Sequence, residues 1–87
     1  MRLQLKEDYF GLAYRADNSG RSGFVYVPSG MPGKLTGARF TPDVSPAVQK
    51  VKIQVDAAVF LTTDNADDEG PAIIEDLSPD QVTYSTR

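Results

Sequence analysis

The 87-residue sequence predicts an all-β fold, a small five-stranded barrel of OB-like or SH3-like type with hairpin loops, on three observations. Apolar and polar residues alternate with a period of two along most of the chain. Clusters of Gly, Pro, Asn, Asp and Ser interrupt these runs at short intervals. Nothing longer than one turn carries a helical period. A chain of this length holds one core, so residues 1–87 are expected to form a single domain.

The first run alternates Leu3 and Leu5 with Arg2, Gln4 and Lys6, then Phe10, Leu12 and Tyr14 with Gly11, Ala13 and Arg15. It reads as one long strand able to bend at Gly11. Asp17-Asn18-Ser19-Gly20 supplies a hairpin turn, and Phe24-Val25-Tyr26-Val27 the returning strand. After Pro28 to Gly33 comes a strand near Leu35 to Thr41, followed by an irregular crossing from Pro42 to Pro46. The one helical candidate is a turn around Ser45 to Gln49, with Ser45 as cap and Pro46 in the first position. The longest run places Val51, Ile53, Val55, Ala57, Val59 and Leu61 on one face and is read as the core stripe. An acidic loop, Asp64 to Pro71, then leads into a final hairpin-like pair broken at Ser78-Pro79-Asp80.

Several function classes lose their usual residues. With no Cys or His there is no disulfide, thiolate or imidazole chemistry, and no metal site or cofactor is implied. Glu75 and Asp76 are neighbours on a strand, which point to opposite faces, and Asp67 and Asp68 are neighbours in a hydrated loop, so neither pair suggests an acid/base couple. The glycines around Lys34 in SGMPGKLTG match neither the spacing nor the strand-then-helix setting of a phosphate-binding loop. An enzyme is not expected. Asn65, Asp67, Glu69, Gly70 and Asp76 echo the ligand order of a calcium loop, but Pro71 follows the glycine and strand formers flank the segment. A solvated hairpin tip is the expected reading. The N-terminal MRLQLKEDYF resembles neither a signal peptide nor a membrane span, so a soluble cytoplasmic protein without a membrane partner is expected, in the host cytoplasm if viral.

The net charge of -3 conceals two oppositely charged halves. Residues 1–52 hold eight cations against four anions, whereas residues 53–87 hold eight anions against Arg87 alone. Six of the eight aromatics lie in the basic half. Interleaved cations and aromatics suit a groove for single-stranded nucleic acid, in which rings stack on bases and cations meet phosphates. On that reading Arg15, Arg21, Lys34 and Arg39 neutralise phosphates, while Tyr14, Phe24, Tyr26 and Phe40 offer stacking surfaces. Phe24 and Tyr26 share one face of their strand, with Val25 and Val27 on the other. Either face satisfies the pattern as the buried one.

The run Arg21-Ser22-Gly23-Phe24-Val25-Tyr26 resembles the basic-x-Gly-x-Pro-Tyr signature on the DNA-binding hairpin of the filamentous-phage single-stranded DNA-binding proteins, the gene V protein family. Val25 stands at the proline position and Phe24 at that of a cation. The layout of ARFTPDVSPAVQKVKIQVDAAVF is also similar to that family's strand, proline-bearing crossing and next strand. The resemblance implies an OB-fold homodimer that binds single-stranded DNA. A different class is left open by the acidic half: a protein-interaction, virion-structural or inhibitor module that engages a basic protein partner through Asp64, Asp67, Asp68 and Glu69.

Overall fold

The structure, a computed structural model, describes residues 2–17, 19–41, 48–61 and 69–84, with the backbone alone for residues 38–41 and 48–49. Seven strands follow one another: β1 (Arg2–Leu5), β2 (Tyr9–Arg15), β3 (Ser22–Val27), β4 (Pro32–Thr41), β5 (Val48–Phe60), β6 (Glu69–Leu77) and β7 (Val82–Tyr84). A 3-10 turn, Pro79–Gln81, precedes β7. All described pairings are antiparallel, in the order β3-β2-β6-β5-β4-β1-β7, and a further β3–β5 pairing closes β3, β2, β6 and β5 into a ring. The protein is therefore an all-β small barrel, with four strands in the ring and three more extending from it. No helix among the described residues is long and apolar enough to cross a membrane.

The ring explains which face of each strand is buried. A four-stranded ring is narrow, because barrel diameter grows with strand number, and its interior admits small side chains. Each ring strand contributes at least one small buried side chain, Ala13 from β2, Val25 from β3, Ala58 from β5 and Ala72 from β6, all at most 1% exposed. Val27, Val55, Ile53, Ile74 and Phe60 extend this core, and Leu3, Leu5, Leu77 and Val82 carry it beneath β1 and β7. Burying one such valine or leucine stabilises the fold by roughly 1.5–3 kcal/mol.

Four sequence-based expectations change. The long first strand is two: Lys6-Glu7-Asp8, three successive charged and exposed residues, end β1 so that it pairs β4 and β7 while β2 pairs β3 and β6. The Ser29 N–H donates to the Asp8 carboxylate at 2.8 Å, and the Gly30 N–H to the Leu5 carbonyl at 2.7 Å, with Gly30 at φ +84. The core stripe of β5 changes phase at a bulge between Val55 and Ala58, so Ala58 and Phe60 are buried in place of Ala57, Val59 and Leu61. Val48 and Gln49 belong to β5, not to a helical turn; Ser45 to Ala47 lie outside the described residues. β6 and β7 form no hairpin, because the 3-10 turn carries the chain across to pair β7 with β1. That turn is held by the Ser78 N–H donating to Gln81 Oε1 at 2.9 Å and the Gln81 N–H to the Ser78 carbonyl at 3.0 Å.

Candidate functional site

The β2–β3 hairpin forms as its turn chemistry directs. The Arg15 N–H donates to the Arg21 carbonyl at 2.9 Å, closing the loop, and Gly20 adopts φ +75. Within the turn the Ser19 N–H donates to Asp17 Oδ1 at 3.1 Å, and the Arg21 N–H donates to Ser19 Oγ at 3.2 Å. The Ser19 hydroxyl and then its backbone N–H hold the Asp17 carboxyl below the usual carboxylate range. Six cross-strand pairs follow, from Tyr14↔Ser22 to Tyr9↔Val27.

The ring core decides the two fates open to Phe24 and Tyr26. Val25 and Val27 are fully buried, so their neighbours point outward: Phe24 is 59% exposed and Tyr26 half-buried. Period two on β2 turns Phe10, Leu12 and Tyr14 the same way, with Phe10 71% exposed and Leu12 58%. Phe10 faces Tyr26 and Leu12 faces Phe24 across the ladder. The result is a continuous apolar and aromatic outer face on one hairpin. Its outer edge is tied to β5, where the Leu61 N–H donates to the Phe24 carbonyl at 2.9 Å and Val25 and Tyr26 pair with Phe60 and Val59.

The expected cations do not gather around this face. Arg21 is exposed at the turn end, next to Ser22, which opposes Tyr14. Arg15 points inward with Ala13, its guanidinium carbon 4.2 Å from the centre of the Phe60 ring, and closes one end of the core. Lys34 is exposed on β4, outside the ring, opposite Arg2 and Gln54. On the same outer surface Arg2 bridges Asp56 at 2.8 Å. The backbone sets Arg39 and Phe40 opposite Lys50 and Gln49; their side chains lie outside the described residues. Thus Tyr14, Phe24 and Tyr26 share one face, Arg21 stands exposed at its turn end opposite Arg15, and Arg15 and Lys34 are not part of it.

The acidic residues divide similarly. Glu69 is exposed at the start of β6, opposite Val59, whereas Asp64, Asp67 and Asp68 lie outside the described residues. Glu69, Gly70 and Asp76, which echo a calcium loop in sequence, belong to an extended strand. Among the described residues no group of three or more acidic side chains is placed to hold a metal ion.

A cleft flanks the aromatic face where β2 and β6 part. These strands pair only at Tyr14↔Ile73 and Arg15↔Ala72. Beyond them lies a space of about 190 Å³ lined by Tyr9, Leu12, Tyr14, Ser22, Glu75 and Asp76. The Tyr9 hydroxyl donates to the Leu12 carbonyl at 2.6 Å, satisfying a backbone acceptor on the part of β2 that β6 has left. Burial, and to a smaller extent the Asp76 carboxylate, push the Tyr9 phenol up. Glu75 and Asp76 do not take opposite sides, as regular strand neighbours would. The β5–β6 register shifts between the pairs Ile53↔Ile74 and Val51↔Leu77, so both residues oppose the single Lys52, and both line the cleft.

Phe10 and Leu12 are the parts of this surface that sequence reasoning did not assign to the site. Their signal was present: they share the parity of Tyr14, and once Tyr14 is outward so are they. The carboxylate cleft had no such signal, since it depends on a bulge. Comparison with protein-family models, curated proteins and solved structures gave no match.

Proposed function

We propose that this chain is a non-catalytic protein that binds single-stranded nucleic acid through the outer face of the β2–β3 hairpin. The observation that carries the reading is the exposure of Phe24 beside the Phe10–Tyr26 pair, with Tyr14 further along the same face. Successive residues on one strand face stand about 7 Å apart, a spacing that splayed bases can follow with one ring each. Outer faces of adjacent strands serve oligonucleotides in other small barrels. Arg21 at the turn end meets a phosphate, and Arg15 contributes by fixing the barrel end at Phe60.

Stacking must dominate the affinity. Three or four rings at about 1–3 kcal/mol each outweigh one or two phosphate contacts. The salt dependence is correspondingly shallow, with a slope of log K against log salt of roughly -0.7 to -1.4 for one or two neutralised phosphates. Titration of a fluorescent oligonucleotide by anisotropy over a range of salt tests this. Saturable binding with that slope supports the reading, and no binding at high micromolar protein ends it.

A second reading is favoured by one observation, the two carboxylates beside Tyr14. There the face docks a basic protein, and Glu69 with Asp64, Asp67 and Asp68, close to it in sequence, is the acidic segment that engages it. Reversing Asp67, Asp68 and Glu69 to lysine separates the two, because it abolishes binding of a basic partner and leaves oligonucleotide affinity unchanged or higher. A homodimer, implied by the gene V resemblance, is compatible with both readings.

A further inference from the structure

The cleft between β2 and β6 adjoins the aromatic face at Tyr14, and its lining is unusual for a nucleic-acid surface. Tyr9, Leu12 and Tyr14 line it from β2, Ser22 from β3, and Glu75 and Asp76 from the β6 bulge. Glu75 also faces Lys52, at 4.0 Å. Ionised carboxylates only accept hydrogen bonds, and they repel phosphates. A strand lying across Tyr14 can therefore approach this end only with its base edge turned toward the cleft. The volume, about 190 Å³, is well below that of a drug-sized pocket and suits one planar ring system.

We infer that this cleft is a base-reading subsite that prefers nucleobases with an exocyclic amino group, cytosine above thymine, a selectivity that rests on the single-strand reading of the hairpin face. Cytosine presents an N4 amino donor where thymine presents the O4 acceptor and a methyl group. Glu75 or Asp76 accepts from the first and repels the second. The two bases are nearly equal in size and both stack on Tyr14, so the carboxylates decide between them. The chain is then an aromatic platform with a compositional preference at one end.

The test compares labelled dC and dT oligonucleotides of equal length by anisotropy at low salt and pH 8, on the wild-type chain, on Glu75→Gln/Asp76→Asn and on Phe24→Ala. On the wild type, dC binds about tenfold tighter than dT, the discrimination of one good base contact. In the carboxamide variant the ratio falls toward one, mainly because dT binding strengthens: an amide both donates and accepts, and the repulsion is gone. Phe24→Ala weakens both oligonucleotides and leaves the ratio unchanged. Unaltered melting temperatures show that each variant is folded. Equal dC and dT affinity on the wild type, with both weakened by Phe24→Ala, overturns the subsite and leaves the platform standing. Binding of neither oligonucleotide overturns both, and capture of a lysine-rich peptide in their place assigns the cleft to a basic protein.

Discussion

Phe10 on β2 and Tyr26 on β3 stand directly opposite each other, and their rings meet with centroids 5.9 Å apart and planes tilted by 52°. Such a pair contributes about 0.5–1.5 kcal/mol beyond the area it covers. It lies on the outside because the inside is filled by Ala13, Val25, Ala58 and Ala72. The exposed platform thus follows from strand parity: with Ala13, Val25 and Val27 facing the core, Phe10, Leu12, Tyr14, Phe24 and Tyr26 stand on the outer face.

Phe24 belongs to that platform without supporting the core. Phe24→Ala is expected to leave the melting temperature nearly unchanged, because the side chain is mostly solvated. Oligonucleotide affinity should fall by about 1–3 kcal/mol, roughly five- to 150-fold. Parallel thermal melts and anisotropy titrations check both halves.

The inward direction of Val25 is open to an equally simple contrast. Val25→Asp places an unpaired carboxylate inside the ring, at a cost of several kcal/mol, a large part of the roughly 5–15 kcal/mol that stabilises a domain. Phe24→Asp puts the same group in water. Circular dichroism should find the first variant unfolded and the second folded.

Gly33 is needed for closeness of approach. A Cβ there would lie 2.5 Å from the Gln54 carbonyl oxygen and 3.1 Å from the Val55 Cα, both backbone atoms of the neighbouring strand. Gly33→Ala is expected to destabilise by roughly 1–3 kcal/mol as β4 is pushed from β5. At Gly23 an added Cβ meets nothing within 4 Å, so Gly23→Ala should stay within about 0.5 kcal/mol. Denaturant midpoints for the two variants measure the difference.

Tyr9 sets an alkaline limit. Its phenol is raised above the ordinary value of about 10 by burial and by Asp76. The folded state therefore holds the proton more tightly than the unfolded chain does. That contribution is complete below pH 10 and is lost as pH rises through the higher folded value. Tyr9→Phe is expected to cost about 1 kcal/mol at neutral pH, the loss of the bond to the Leu12 carbonyl. It should also flatten the fall in stability above pH 10, which melts from pH 7 to 11 will register.

Local chemistry was legible in the sequence. Asp17 to Gly20 specify the hairpin turn, and period two gives the strands and the two faces of β3. Which face is buried was not legible, since valines and aromatics are equally good strand residues; the tertiary pairing of β3 with β2 and β5 decides it. Bulges were likewise hidden. Ala57-Ala58 gives no mark of the phase change that buries Phe60, and Glu75-Asp76 none of the shift that turns both carboxylates to one cleft. Among the proposed phosphate contacts, Arg15 shows the limit of composition, because a cation counted as surface charge lies over the buried Phe60 ring.

Backbone amide shifts during titration of the labelled protein with a short dC oligonucleotide report where single-stranded DNA meets the hairpin. Saturable changes are expected at Phe10, Leu12, Tyr14, Arg21, Phe24 and Tyr26, with little change at Arg2, Lys34 and Gln54 on the other outer surface. Changes centred on Lys34 and Arg2, or none at excess oligonucleotide, would contradict binding through the hairpin face.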